Sequence, residues 1–213
     1  MRIAYFDCFS GASGDMILGA LIDAGLGLEQ LCADLELLGL GEEFHLSAYR
    51  TVKQGFGATQ VEVRVHGDVE HPHRHLDDIR RTINASSLPP RVRHLSLRIF
   101  ERLAEAEAAV HNMGTEHIHL HEVGAVDAMV DIVGAAIGLD RLRIDRVVCS
   151  PIPTGRGTVH CEHGELPVPA PATAELLKGV PLACSDEDGE LTTPTGAAIL
   201  TTIAESFGPI PAM

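Results

Sequence analysis

The stretch HIHLHEVGAVDAMVDIVG, His117 to Gly134, carries three histidines at alternating positions, then Glu122, then Asp127 and Asp131 four residues apart. Its other residues are almost all apolar or glycine. Charge in such surroundings is costly unless something compensates it, so six ionisable groups here require solvent or a ligand. Read as extended, 117–121 points His117, His119 and His121 to one face. Three imidazoles on one edge suit Zn²⁺, Ni²⁺ or Co²⁺. A helix is expected over 125–142, with Val126, Met129, Val130, Val133 and Ile137 as its core stripe. Asp127, Asp131, Gly134 and Gly138 form a second line, and the glycines leave room for a backbone or a ligand beside the carboxylates. The plain alternative is a solvated helix face with exposed histidines.

A second cluster, HPHRH, gives His71, His73 and His75 in a polar loop, followed by Asp77 and Asp78. Metal sites draw ligands from separate segments, so the two clusters reinforce each other; the alternative is a His-rich loop that binds metal loosely or not at all. FSGASGDM places Ser10, Gly11, Ser13, Gly14 and Asp15 between a strand and a helix start. Backbone N–H groups there suit a phosphate or carboxylate. The turn is neither GxGxxG nor a P-loop, and no Lys follows. It also reads as a simple glycine turn with Ser13 as N-cap. Asp7 and Asp15 could hold a hydrated Mg²⁺, or Asp15 could only favour the helix dipole. LTTPTGAAIL repeats the logic, with Thr192, Thr193 and Thr195 at a helix start, Pro194 in its first turn, and Gly196 leaving backbone exposed. Arg156, between Gly155 and Gly157, could fork onto a phosphate or carboxylate. Cys161, near His160 and His163, is a soft metal donor or a small buried hydrophobe. No Ser-His-Asp or Cys-His nucleophile follows from spacing alone.

These groups need elements to hold them. RIAYFD (2–7) reads as a strand, GDMILGALIDAG as a helix, and 28–39 as another. Residues 43–52 and 57–67 alternate around KQGFG as a β-hairpin. Helices are expected at 76–85, at 89–112 after Pro89-Pro90, at 171–178 and at 194–206. DRVVCS (145–150) reads as a strand, and PLACS and GELTT as shorter ones. The proline-rich 151–172 region reads as an ordered loop or hairpin. The expected class is α/β, a mixed sheet with helices packed around it, with two small lobes, 1–70 and 76–213, hinged at 71–75 as one possible division. The chain stops after FGPIPAM with no terminal element expected, as a segment cut from something longer would.

The 213 residues are 45% hydrophobic and carry a formal net charge of −14. A packed globule follows, and general binding to nucleic acid or anionic membranes is excluded. No run reaches the roughly 20 apolar residues a membrane span needs. With no Trp and few other aromatics, a base-stacking platform is not expected. Five cysteines, an odd count without CxxC, read as reduced thiols in a cytoplasm.

Five segments in order, FDCFSGASGDM, HRHLDDI, HLHEVGAVDAMVDIVG, GELPVPAPATAELLKG and LTTPTGAAIL, resemble the motifs of the LarC family of nickel insertion proteins, over Ile3 to about Phe207. The resemblance implies an enzyme, a CTP-dependent nickel chelatase of lyase type. It would insert nickel into pyridinium-3,5-bisthiocarboxylic acid mononucleotide and form the carbon–metal bond of the nickel-pincer cofactor. Apo lactate racemase would receive that cofactor. CTP would act with Mn²⁺ or Mg²⁺ at a site in a C-terminal part of the same protein, outside these residues, and a homo-oligomer is expected. The resemblance extends to His73, His75, His119, His121, Glu122, Asp127, Asp131 and the glycine-rich first turn; His71 and His117 lie beside the pattern. Resemblance and residue chemistry together put imidazoles from 71–75 and 119–121 around Ni²⁺, with Cys161 open as a further donor. Glu122 or Asp127 would take the proton lost from the pyridinium ring. The substrate phosphate would rest on Ser10–Gly14 or Thr193–Gly196. Two other readings stand beside it: a metal-dependent hydrolase, and a nickel chaperone or storage module without chemistry.

If His119 and His121 are metal ligands, replacing both with Ala abolishes tight Ni²⁺ binding in a folded protein, because two imidazole donors are lost. Equilibrium dialysis beside a thermal melt checks this; unchanged nickel affinity would remove 119–121 from the site.

Overall fold

The computed structural model describes residues 1–41, 43–53, 55–66, 75–116, 118, 125–161 and 164–212. The apolar run IAYF forms β1 (Ile3–Phe6) and the glycine turn delivers α1 (Gly14–Asp23). Then come α2 (Leu28–Glu36) and the hairpin β2 (Phe44–Lys53) and β3 (Phe56–Val65), turning at Gly55 with φ +86°. Next are α3 (Leu76–Ala85) and α4 (Pro90–His111). Proline at the first position, where no N–H partner is needed, starts α4, and Asn112 ends it with φ 52°. The long apolar helix is α5 (Val126–Arg141), and β4 (Arg146–Cys149) follows.

Short strands β5 (Ile152–Pro153), β6 (Gly155–Arg156), β7 (Thr158–Cys161) and β8 (Gly164–Pro167) fill the proline-rich region. The chain continues through α6 (Pro171–Leu176), β9 (Leu182–Ala183), β10 (Gly189–Glu190), α7 (Pro194–Ile203) and β11 (Ser206–Phe207).

The fold is α/β, with helices around small sheets. Strands β1, β4 and β11 form a parallel sheet with β4 in the middle and Ile3 opposite Arg146. The other described strands pair two by two: β2–β3, β6–β10 and β7–β8 antiparallel, β5–β9 parallel. Parallel and antiparallel pairings thus coexist, as a mixed sheet would have them, but in separate pieces. β5, β6, β9 and β10 have only two residues each and pair outside the β1–β4–β11 sheet. At the end of the chain α7 stops at Ile203, short of the expected 206. Glu205 N–H donates to Val147 O at 3.0 Å and Gly208 N–H to Cys149 O at 2.8 Å, so β11 supplies the terminal element the sequence did not announce. Among the described residues no helix is long and apolar enough to cross a membrane.

The core is organised by α5. Twelve of its residues are buried, including those on the line of Gly134 and Gly138. A helix apolar all round is a central helix, so the expected division into a core stripe and an open polar line does not hold. A Cβ on Gly134 would meet Leu18 Cδ2 at 2.8 Å, and one on Gly138 would meet Leu21 Cδ1 at 2.8 Å. The glycines admit the leucines of α1, not a ligand. Because 134 faces 18 and 138 faces 21, α1 and α5 run parallel. Arg141, at the end of α5, forks onto Asp34 of α2 at 2.6 and 2.7 Å, so the carboxylate that α2 buries is paired.

Gly134→Leu is expected to cost about 1–3 kcal/mol by overpacking this seam. Leu18→Ala in the same chain should return part of the loss. Denaturant melts of the three variants check this.

Candidate functional site

The C-terminal ends of β1 and β4 lead into loops that are tied to one another. Ser150 N–H donates to Phe6 O at 2.9 Å, and Cys8 N–H donates to Ser150 Oγ at 2.9 Å. The turn after β1 is then fastened to the segment before α7: Ala12 N–H donates to Leu191 O, and Thr193 N–H to Ala12 O, both at 3.0 Å. The Thr192 hydroxyl is fully buried and donates to Pro153 O at 2.7 Å. Gly11 is at φ +94° and packs against the Leu191 carbonyl, where a Cβ would collide. The starts of α1, α5 and α7 therefore gather at the carboxyl end of the parallel sheet, where open α/β sheets bind ligands. Three helix N-termini bring partial positive charge and unpaired N–H groups to one place.

Asp15, Asp127 and Asp131 lie at these helix starts. Asp15 lies in the first turn of α1 and accepts from the Ser13 hydroxyl. Asp127 lies in the first turn of α5, is exposed, and accepts from the Ala128 N–H at 2.9 Å. Asp131, one turn further on, packs against Gly14, and a Cβ on Gly14 would overlap its carboxylate. Asp131 Oδ1 is buried without a hydrogen-bond partner. Burial first, then the charges of Asp15 and Asp127, push its carboxyl up to about 8. Desolvation thus outweighs the helix dipole here, and Asp131 holds its proton near neutral pH. Removing that proton would be favoured by a cation arriving beside it.

The other expected residues divide into three groups. His71, His73, His117, His119, His121 and Glu122 lie outside the described residues. His75 is described: it is the N-cap of α3, and its N–H donates to Asp78 Oδ2 at 3.0 Å. Among the described residues no three His, Cys, Asp or Glu side chains are placed to hold a metal ion. The remaining residues are committed to the fold more than the sequence suggests. Thr193 Oγ caps α7 by accepting from Gly196 N–H at 3.2 Å. Gly196 is buried against the Ala12 carbonyl, so the backbone expected to lie open there is covered. Thr195 is half-buried beside it. Ser13 occupies the N-cap position of α1 without a capping hydrogen bond, its hydroxyl going to Asp15. The first-turn N–H groups of α1 are therefore not capped by that side chain. Arg156 forks onto Asp188 at 2.8 Å and Asp186 at 3.6 Å, carboxylates of the protein itself. Cys161 is a half-buried free thiol in β7.

Sequence reasoning missed Ser150, which is buried and accepts from the turn while its hydroxyl donates to Pro151 O at 3.0 Å. The only signal was a serine between a buried strand and a proline. It also missed Phe9, 80% exposed on the turn, an aromatic face beside the helix starts.

The Asp131 carboxyl has a raised value in the fold and an ordinary one near 3.8 when unfolded. Below about pH 4 both states hold the proton. From about pH 4 to about pH 8 only the folded state does, so stability falls as pH rises and the loss is complete above about pH 8. Asp131→Asn should therefore gain on the parent across that window and plateau beyond it, as melts at stepped pH would show. Gly14→Ala should destabilise the fold, and less so with Asp131→Gly, with a coupling of about 0.5 kcal/mol or more.

Comparison with known proteins adds to this geometry. The family model described as nickel insertion protein matches residues 4–213. Proteins from two strains of Desulfitobacterium hafniense, named pyridinium-3,5-bisthiocarboxylic acid mononucleotide nickel insertion protein, are each 56% identical over 211 residues, 99% of this chain and 52% of their own length. A relative from Citrifermentans bemidjiense is 51% identical over 213 residues, 100% of this chain and 55% of its own. The chain thus spans about half the length of the curated relatives it matches. No solved structure is significantly similar. With a family match from Ala4 to the end, this chain belongs to the nickel insertion protein family.

Proposed function

We propose that this chain takes part in inserting Ni²⁺ into pyridinium-3,5-bisthiocarboxylic acid mononucleotide, the compound in the names of its relatives. The observation that carries the reading is high identity to those relatives along almost the whole chain. Nickel is a substrate here. His73, His75, His119 and His121, flanked by His71 and His117, would receive it. The mononucleotide phosphate would rest on the uncapped start of α1, around Ser10, Gly11, Ser13, Gly14 and Asp15. The start of α7 is the weaker seat, since Thr193 already occupies the Gly196 N–H.

In the insertion step a ring C–H bond breaks, its electron pair forms the carbon–nickel bond, and the proton passes to a carboxylate. Glu122, Asp127 and Asp131 are the candidates. Asp131 is favoured by its raised value, because a proton acceptor works best when matched to the working pH. The dication approaching it would favour the ionised form that accepts the proton. CTP with Mn²⁺ or Mg²⁺ would act in a C-terminal part of the same protein, and apo lactate racemase would take the product. A homo-oligomer in the cytoplasm completes the reading; five free cysteines fit a reducing compartment.

Mass spectrometry tests it. The chain is mixed with Ni²⁺, CTP, Mn²⁺ and the mononucleotide, alone and with the C-terminal half of the Desulfitobacterium relative. A nickel-bearing product is expected in the second mixture. Asp131→Asn should still bind nickel and yield less product. No product in either mixture, while the intact relative makes it, would reject the reading.

A further inference from the structure

A cavity of about 280 Å³ lies at the opposite end of the parallel sheet from the three helix starts. Its walls come from the first turns of α4, the last turns of α5 and α7, and the beginning of β4. We propose that it is a second binding site, for a small organic anion with one phosphate or carboxylate head on a compact apolar body.

The floor is apolar, formed by Leu95, Ala136, Leu139, Ile144, Val147 and Ile203. The rim is charged, and its carboxylates are all engaged. Asp140 lies 3.8 Å from Arg91, and Asp145 accepts the Arg2 N–H at 2.6 Å. Glu205 lies 3.1 Å from Arg146 Nε. Arg91 is held by the Ile144 carbonyl at 2.9 Å.

What remains is His94 and Arg98, one turn apart on the exposed side of α4. Neither has a hydrogen bond or ion pair among the described residues. Arg146 is taken up by Glu205 and adds no free donor. An unpaired guanidinium and an unpaired imidazole beside an apolar cavity call for an anionic head as their complement.

Charge and size narrow the class. With a net charge of −14 the general field repels anions, so local unpaired donors decide where one can bind. The volume is at the low edge of ligand pockets, about 300–1,000 Å³, so the occupant is small. The apolar floor gains from a hydrocarbon body and nothing from a bare ion.

Calorimetry of the 213-residue chain with phenyl phosphate, benzoate and inorganic phosphate tests the site. Saturable binding of an aryl anion is expected, with inorganic phosphate weaker. The variant Arg98→Gln with His94→Gln should lose about tenfold or more, since charge-assisted hydrogen bonds are removed; Arg98→Lys should retain most of the affinity. Both side chains are exposed and unpartnered, so the fold should persist, as a melt would verify. Should the double variant unfold, Arg98→Gln alone takes its place and must also weaken binding. Absence of saturable aryl-anion binding would overturn the proposal. So would unchanged affinity in the folded variant, which would move the anion to the α1 start, or inorganic phosphate binding as tightly as phenyl phosphate.

Discussion

Helices α1 and α5 lie side by side because Gly134 and Gly138 present no side chain to Leu18 and Leu21. That seam fixes their parallel direction, and much else follows from it. Parallel helices put both N-termini at the same end of the molecule. Strand β1 feeds α1 through a short turn and β4 pairs in parallel with β1, so that end is the carboxyl edge of the sheet. The same closeness, continued one turn back, presses Asp131 against Gly14. A side chain larger than hydrogen at any of these glycines would separate the helices and open the carboxyl to water.

The electrostatics of the gathered helix starts then depend on a contest. Helix dipoles favour negative charge at this end, and Asp15 and Asp127, near the surface, are well placed for it. Asp131 is one turn deeper, where the loss of solvent and the two neighbouring charges dominate, and it keeps its proton. One carboxyl held neutral between two others is a reserve of negative charge that a cation could call on. The opposite end of the sheet has the complementary character. Helices α5 and α7 end there, and Arg2, Arg91 and Arg146 gather around their carbonyl ends and acids. An acidic chain thus places its arginines where helix C-termini need them, leaving His94 and Arg98 over.

Much of this was legible in the residues. Apolar runs, Pro89-Pro90, the glycine turn and the alternation around KQGFG located nearly every element, because each depends on local periodicity and backbone preference. The placement of the Ser10–Asp15 turn before α1, of Asp127 and Asp131 one turn apart on α5, and of the Thr193 cap also follows from local signals: glycine between strand and helix, carboxylates four residues apart, threonine before proline. The membership of the chain in its family was carried by the same motifs.

What the sequence could not decide is what each glycine and each charged group faces. Gly134 and Gly138 read as room for a backbone or a ligand and Gly196 as exposed backbone; tertiary packing set leucines against the first two and the Ala12 carbonyl against the third. Arg156 read as free to bind an anion, and Asp186 and Asp188, remote in sequence, took it. Asp131 read as a carboxylate on a line open to a backbone or a ligand, and packing against Gly14 of α1 desolvated it and raised its carboxyl to about 8. Backbone propensity is a property of neighbours along the chain. Burial, the ionisation that burial controls, and the identity of a packing partner are set by segments distant along the chain, and only the folded chain brings those together.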